Sequence, residues 1–408
     1  MGRFGARLLC VRGRADAERE LARIDVDPGG IARMAGKMSL CPVHLPGLQC
    51  RQANILKQEM LAVGGDAAVA RGSVACSIER SDCILIGSDR QLRILAARLP
   101  HQPFGLAALA VELLELLDRA ASPPAVWNSS KRSFPLDRPL IMGILNVTPD
   151  SFSDGGRHFS CSAAVEHALR MVNEGADIID VGGESTRPGA PQVPVDEELR
   201  RVVPVIGEIV RQCSAAVSVD TWKSVVAREA LAGGAEIIND VSGFSFDGEL
   251  AGVAAESGAG VVLMHTRGRP ERMQDDTAYR DLMGEVVAGL TASVEAARSA
   301  GIMSDRIAVD PGIGFGKDTG GNLELLRRLP ELCSLGLPVL VGTSRKSFIG
   351  RVLGREVEGR LPGTASTVAL AVANGARIVR VHDVAAMRDT ALMAHAIASG
   401  DWPVRGER

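Results

Sequence analysis

Residues 143–156 have the sequence Gly-Ile-Leu-Asn-Val-Thr-Pro-Asp-Ser-Phe-Ser-Asp-Gly-Gly, in which an apolar run changes abruptly into a polar loop. The run begins at Leu140 and ends at Leu145, and its length and composition predict a buried strand. Asn146 follows, and turn-forming residues come after it. Because α/β folds carry their chemistry at the carboxyl ends of parallel strands, the pattern predicts a functional group at Asn146.

The same arrangement recurs down the chain, where short apolar runs alternate with amphipathic helical patterns. Eight strands are predicted: Leu140–Leu145, Ile178–Val181, Ala216–Val219, Glu236–Ile238, Gly260–Met264, Ile307–Val309, Val339–Val341 and Ile378–Val381. Eight strand–helix units within about 250 residues favour a (β/α)8 TIM barrel, an α/β fold. An open doubly wound sheet is the alternative, although no Gly-x-Gly-x-x-Gly follows the first strand.

The first part of the chain lacks this alternation. Residues 1–121 are expected to form a small α+β N-terminal domain, to which the sequence assigns no function. Its predicted elements are a strand near Leu8–Val11, helices such as Gln52–Val63 and Leu106–Leu117, and a strand at Cys83–Ile86. Ser, Pro and Asn cluster in residues 122–136, which we expect to be a linker. The barrel is therefore expected over residues 137–402.

Composition excludes several functions. The net charge is −3 and aromatic residues make up 3% of the 408 residues, so nucleic-acid binding is not expected. The eight cysteines form no Cys-x-x-Cys pair, which argues against a zinc site and for reduced thiols. No apolar run approaches the roughly 18 residues that span a bilayer. We expect a cytoplasmic protein without membrane contact.

Polar residues stand at every predicted strand end, and closure of a barrel would bring them to one mouth. They include Asn146, Asp180, Asp220, Asn239, Asp240, His265, Asp310, Arg380 and His382. A single such residue is more often a helix cap, as Asp240 or Ser344 would be alone, and His265 or His382 could be buried structural histidines. The whole set in register favours an active site.

The residue types narrow the chemistry. Asp220, Asn239 and Asp310 offer carboxylate and amide groups that suit a ring with several N–H groups. Positive charge gathers near the last two strands, from Arg345, Lys346, Arg380 and His382, where barrels commonly hold phosphate. Asn146 offers one oxygen to Mg²⁺, which usually keeps water and phosphate as its other ligands. A site that suits a heterocycle, a metal and a phosphoryl group suggests a reaction in which a nucleophile attacks a carbon atom and pyrophosphate leaves.

With these motifs the chain resembles dihydropteroate synthase of folate biosynthesis, over about residues 138–400. The resemblance rests on ordered motifs at the strand ends: Gly143–Gly156, Asp180–Gly189, Ser218–Thr221, Ile238–Gly243, Asp310–Lys317, Ser344–Ser347 and Arg380–Val384. It implies a transferase that condenses 6-hydroxymethyl-7,8-dihydropterin diphosphate with p-aminobenzoate, giving 7,8-dihydropteroate and pyrophosphate. It also implies a homodimer and inhibition by sulfonamides, which resemble p-aminobenzoate.

The resemblance assigns roles to individual residues. Those implied to hold the pterin are Asp220, Asn239, Met264, Asp310 and Lys346. Those implied for Mg²⁺ and the diphosphate are Asn146, Arg380 and His382. Those implied for p-aminobenzoate are Phe152, Thr186, Arg187, Pro188, Phe315 and Ser347. The catalytic set is implied to be Asp150, Asp220, Lys346, Arg380 and His382, with the loops after the first two strands closing over the substrates.

Two features depart from the family pattern. The loop Asp318–Gly321 lacks a histidine that members often carry, and the first 121 residues are absent from compact members. Two other functions remain open: a methyltransferase that acts on a methylated folate and a corrinoid protein, and a non-catalytic pterin-binding barrel. The Arg380/His382 pair and the Ser344–Ser347 loop argue against the former, and the intact set of strand-end residues argues against the latter.

Overall fold

The chain folds into two units, Met1–Ser122 and Pro123–Arg408. The structure is a computed structural model, which describes residues 6–147, 161–185, 187 and 189–400. None of the helices in these ranges is long and apolar enough to cross a membrane.

The N-terminal unit is an antiparallel sheet covered by helices. Its elements are α1 (Arg14–Ala22), α2 (Pro28–Met34), β1 (Val43–Gln49), α3 (Cys50–Ala62), β2 (Asp66–Val69), β3 (Arg80–Ile86), α4 (Asp89–Arg98) and α5 (Leu106–Ala121). The strand order is β1-β3-β2, and β3 alternates buried and exposed residues because only one face packs on the helices. The α+β prediction is confirmed. The strand predicted at Leu8–Val11 is wrong: this run has no partner strand among the described residues, and Leu8 is fully exposed.

Residues 122–136, expected to be a linker, hold a hairpin that belongs to the second unit. It consists of β4 (Val126–Asn128) and β5 (Ser133–Pro135), paired antiparallel. The Trp127 ring lies 5.5 Å from that of Phe134, and its indole N–H donates to the carbonyl of Arg306 at 3.1 Å. Both aromatic rings are buried against the innermost side chains of the strands that follow. The hairpin therefore forms the floor of the second unit.

The remaining strands form one parallel sheet. They are β6 (Leu140–Asn146), β7 (Ile178–Gly182), β8 (Ala216–Asp220), β9 (Ile237–Asp240), β10 (Gly260–Met264), β11 (Ile307–Asp310), β12 (Leu340–Val341) and β13 (Ile378–Val381). Their order is β11-β10-β9-β8-β7-β6-β13-β12. A parallel bridge between Val309 and Val339 joins the two ends and closes the barrel. The TIM-barrel prediction is confirmed, and the open sheet is excluded.

Helices surround this barrel. They are α6 (Cys161–Glu174), α7 (Val195–Gln212), α8 (Ser224–Ala232), α9 (Leu250–Ser257), α10 (Leu282–Ser299), α11 (Thr319–Arg327), α12 (Pro330–Cys333), α13 (Ser347–Leu353), α14 (Leu361–Ala373) and α15 (Val384–Ser399). Outward residues such as Val181 and Val219 pack on the helices, whereas Ile178 and Ala216 lie in the interior with the floor hairpin. Because side chains alternate along a strand, Asp180 and Asp220 also point inward, nearer the carboxyl end.

Candidate active site

Arg380 lies at the centre of the polar groups inside the barrel. Its Nε donates to Asp180 Oδ2 at 2.6 Å, and its Nη2 donates to Asp220 Oδ2 at 2.7 Å. Although burial disfavours the charge, the two carboxylates raise the pKa of Arg380 above its usual value. The residues come from β13, β7 and β8, so the guanidinium is held across the interior. The sequence placed Arg380 at the mouth but did not predict this contact with Asp180.

Asp220 retains an acceptor for a ligand. Its Oδ1 is buried and has no hydrogen-bond partner among the described residues. Burial raises the pKa of Asp220 to about 7, against the opposing effect of Arg380, and Asp180 adds to the increase. An unsatisfied buried oxygen costs free energy, so this atom is a candidate to receive an N–H from a bound molecule.

Asn239 is the neighbour of Asp220 in the sheet, because the two residues are opposite each other where β8 and β9 pair. Its Nδ2 donates to Asp180 Oδ2 at 3.0 Å. An acidic residue near a strand end often binds only the amides of its own loop. Glu184 does accept from the backbone N–H of Val193, at 2.8 Å, whereas the bonds of Asp180 cross the barrel. The sequence placed Asp180 among the strand-end residues at the mouth but gave it no role in the site.

Asp310 and Lys346 form the opposite side of the mouth. Asp310 Oδ1 accepts from the backbone N–H of Gly312 at 2.7 Å, in a turn where Gly312 has a φ of +68°. The ammonium of Lys346 contacts the carbonyl of Ile313 and lies 4.6 Å from the centre of the Phe315 ring. Burial raises the pKa of Asp310 and lowers that of Lys346 to about 8, and the proximity of the two groups opposes both shifts.

An apolar wall completes the mouth. Met264 and Phe315, both predicted as substrate contacts, belong to one cluster with Trp222, Val241 and Phe246. The rings of Trp222 and Phe246 meet edge to face with centroids 5.9 Å apart. Aromatic and thioether groups beside inward carboxylates suit a flat polar ring, which needs stacking on its face and hydrogen bonds at its edge.

His382 lies two residues beyond Arg380, just after the end of β13. Its backbone N–H donates to Ser344 Oγ at 3.1 Å, and its Nδ1 lies 3.0 Å from the same oxygen. Burial, reinforced by Arg380 and Arg345, lowers the pKa of His382 to about 4. In the free protein the imidazole is therefore neutral at physiological pH and can offer a hydrogen bond, whereas a phosphate bound beside it would raise this pKa.

The loop before α13 has a strained backbone. Arg345 has a φ of +57°, which is uncommon for a residue with a side chain. Its Nε and Nη2 bind the Asp383 carboxylate at 3.0 and 2.5 Å, and its backbone N–H donates to Thr364 Oγ1 at 3.1 Å. These bonds hold the loop so that Lys346 and Ser347 follow at the start of α13, where Ser347 is exposed.

Several predicted residues lie outside the described ranges: Asp150, Phe152, Thr186, Pro188 and the loop 148–156 that contains the first two. Arg187 is described and exposed. Glu184, which follows β7, belongs to a buried ion cluster, in which Lys223 Nζ contacts Glu184 Oε2 at 2.7 Å and Glu198 Oε2 at 2.6 Å. This cluster fixes the side chain of Glu184 just beyond the end of β7.

The donor set for a metal is sparse. The described residues contain no group of three His, Cys, Asp or Glu side chains that could hold an ion. Asn146 is half-buried at the carboxyl end of β6, opposite Gly182. A single amide oxygen suits Mg²⁺ that arrives with a diphosphate, because such an ion takes few ligands from the protein. The residues present fit this mode of binding.

A closed barrel with convergent acids, a buried arginine and an apolar wall at its carboxyl face defines a TIM-barrel enzyme. The family model described as "Pterin binding enzyme" matches residues 142–382. The dihydropteroate synthase of Synechocystis sp. is 49% identical over 261 residues, which cover 64% of this chain and 90% of that protein. A solved dihydropteroate synthase of Xanthomonas albilineans, holding 4-aminobenzoic acid, is 48% identical with a TM-score of 0.63, and the match covers 68% of this chain and 98% of that one. The chain belongs to the pterin-binding enzymes, and within them to the dihydropteroate synthases.

A longer relative matches the N-terminal unit as well as the barrel. The "Probable bifunctional folylpolyglutamate synthase/dihydropteroate synthase" of Haloferax volcanii is 43% identical over 397 residues, or 95% of this chain and 46% of that protein. The chain thus spans about half the length of this relative. A match of that extent includes most of the N-terminal unit, whereas the Synechocystis match is only long enough for the barrel.

Proposed function

We propose that the barrel condenses 6-hydroxymethyl-7,8-dihydropterin diphosphate with p-aminobenzoate to give 7,8-dihydropteroate and pyrophosphate, as its membership of the dihydropteroate synthases implies. The observation that carries the proposal is the polar set around Arg380. Asp220 offers an unused buried acceptor, and Asn239 and Asp310 lie on nearby strand ends. This set suits a ring that presents several N–H groups.

The pterin lies inward in this proposal. Asp220, Asn239 and Asp310 accept hydrogen bonds from its ring edge, Lys346 binds its oxygen, and Met264 packs on its face. As the diphosphate leaves, positive charge develops on the methylene carbon and spreads into the ring. The carboxylates of Asp220 and Asp310 are fixed before reaction and stabilise that charge in an environment with little water.

The diphosphate lies toward the mouth. Arg380 uses Nε and Nη2 for Asp180 and Asp220, and we propose that the remaining face of its guanidinium and the imidazole of His382 contact the phosphoryl oxygens. Asn146 would hold Mg²⁺, which supplies positive charge to the leaving group when bound. Arg380, whose charge the two carboxylates stabilise, is the group of the chain that brings a fixed positive charge to the diphosphate in this proposal.

In this proposal p-aminobenzoate binds at the rim of the barrel mouth. We propose contacts from Thr186, Arg187, Pro188, Ser347 and Phe315, where Arg187 and Ser347 are exposed and Phe315 belongs to the apolar wall. The arylamine attacks the methylene carbon with its lone pair, so no strong base is required. The roles of Asp150 and Phe152, as parts of a closing loop, follow from the resemblance alone.

The assay measures pyrophosphate release by the purified protein with Mg²⁺. We expect release only when both substrates are present, and competition by a sulfonamide against p-aminobenzoate but not against the pterin. A methyltransferase would release no pyrophosphate, and a non-catalytic barrel would bind pterin without turnover. Pyrophosphate release that does not depend on p-aminobenzoate, or no pyrophosphate release at all, would contradict the proposal.

The matched variants are Arg380→Ala and Arg388→Ala. Arg388 belongs to α15 and lies beside Arg138 and Asp177, which precede β6 and β7 at the opposite end of the barrel. Arg380→Ala should abolish turnover with the fold retained, whereas Arg388→Ala should leave turnover unchanged. Near-normal turnover by Arg380→Ala would disprove its role at the diphosphate.

We also propose that the chain forms a homodimer through its last helices. Exposed large apolar side chains occur on three of them: Val352 on α13, Leu370 on α14, and Met393 and Ile397 on α15. Exposed apolar residues on packed neighbouring helices suit an interface between copies. Light scattering should give twice the monomer mass, and Ile397→Glu should shift the protein toward monomer. A monomeric wild type would refute the interface.

A further inference from the structure

We propose that Asp180 is a positioning residue of the pterin site, which fixes the orientation of the Asn239 amide and of the Arg380 guanidinium before substrate binds. The inference rests on the proposed function, because it assigns Asn239 and Arg380 to the pterin diphosphate. Asp180 would not contact the reacting carbon. It would determine which hydrogen-bonding groups its two neighbours present to the ligand.

The geometry places Asp180 between these two residues. Its side chain is fully buried, and a single oxygen, Oδ2, accepts from Arg380 Nε at 2.6 Å and from Asn239 Nδ2 at 3.0 Å. β7 pairs with β6 and β8, whereas the two partners come from β13 and β9. The contacts therefore cross the barrel interior and do not follow from strand pairing.

The consequence for Asn239 is a fixed amide. An asparagine side chain can turn over and exchange its donor and acceptor ends at little steric cost. The bond to Asp180 engages the amino end, so the carbonyl oxygen is the end left for a ligand. Oδ1 has no partner among the described residues in either Asp180 or Asp220, and together with these atoms the carbonyl of Asn239 presents acceptors that match the N–H groups of a pterin edge.

The consequence for Arg380 is a fixed plane. One carboxylate engages Nε and the other engages Nη2, so neither rotation about the last torsion nor withdrawal toward solvent is compatible with both bonds. Without Asp180, Arg380 would keep only its bond to Asp220. Its charge would then be free to move away from the position where the diphosphate is proposed to lie.

The simpler alternative is a purely structural ion pair. Asp180→Ala separates the two, because it removes the shared acceptor Oδ2, which frees the Asn239 amide to invert and leaves Arg380 with Asp220 alone. We expect affinity for 7,8-dihydropteroate, measured by calorimetry, and kcat/KM for the pterin diphosphate to fall by about ten-fold or more. The KM for p-aminobenzoate should stay unchanged, as should the circular dichroism spectrum.

The matched control is Glu236→Ala at the barrel floor. Glu236 is also a buried carboxylate paired with an arginine, Arg132, at 2.8 Å. It should change stability without changing either KM. An Asp180→Ala variant that binds 7,8-dihydropteroate like the wild type, or one that loses both substrates equally, would overturn the positioning role.

A second measurement needs no folded variant of Asp180. In the free wild-type protein, the side-chain amide of Asn239 should give a shifted, slowly exchanging N–H signal in ¹⁵N NMR, unlike that of exposed Asn173. Rapid exchange at Asn239 would overturn the proposal. This test is independent of turnover, so an inactive wild type would refute the proposed function and leave the amide orientation to be judged separately.

Discussion

Trp127→Ala should lower the free energy of unfolding of the barrel unit by about 4 kcal/mol, within the range for emptying a buried aromatic site. The indole is fully buried beneath the barrel, against Phe134 and the lowest inward side chains, such as Ile178 and Val262. The parallel strands around it leave little room for collapse. The change also removes the N–H donor to the Arg306 carbonyl. That carbonyl would then have a hydrogen-bond partner only if water entered the cavity.

Urea unfolding followed by circular dichroism measures this loss, and thermal unfolding should shift by roughly 8–16 °C, since each kcal/mol is worth about 2–4 °C in a unit of this size. Val126→Ala is the control, because Val126 precedes Trp127 on the same strand but is exposed. It should change stability by less than about 0.5 kcal/mol. Substrate KM values should not change, since the mouth lies at the opposite end. A loss below about 1 kcal/mol for Trp127→Ala would refute the role of the hairpin as a floor.

Three further predictions concern other parts of the molecule. A chain that begins at Pro123 should fold and release pyrophosphate, whereas one that begins at Ser133 should aggregate because it lacks β4; equal solubility would contradict this. Arg345→Ala should lower kcat by about ten-fold, since Asp383 would no longer hold the strained loop before Lys346; normal turnover with an intact fold would show that the strain is incidental. Burial lowers the pKa of His265 to about 3, so the unfolded chain binds the extra proton first and stability should fall as the pH drops from about 6.5 toward 3. His265→Gln should flatten that decline in urea unfolding, and an unchanged slope would contradict the assignment.

The barrel could be predicted because buried parallel strands are continuous apolar runs that end in turn signals. β10 and β13 have the limits expected from the sequence, and the other strands differ by one or two residues. The strands β1 and β2 were not predicted. β1 contains Pro46 and Gly47, β2 has four residues, and both exist mainly because β3 lies between them and supplies the hydrogen bonds.

The site was partly predictable for a similar reason. Strand ends in register must meet at one mouth, so Asp220, Asn239 and Asp310 could be expected there before any contact was known. The partner of a side chain within that mouth could not be. Asp180 was expected at the mouth but without a partner, and Trp222 gave no signal beyond its position two residues after a strand-end aspartate. Contacts across a barrel depend on its tilt and side-chain directions, which no local pattern records.

In the proposed reaction, the charge of the buried carboxylates at the mouth differs before and after substrate binds. Asp220 and Asp310 are both buried in the interior, so ionisation of both would concentrate negative charge away from solvent. The free protein lessens this charge because burial raises the pKa of Asp220 to about 7. N–H groups from a bound ring favour the ionised carboxylate and lower that pKa. Under the proposed function, the negative charge that stabilises the developing cation is therefore completed by the substrate itself, at the position where the reaction needs it.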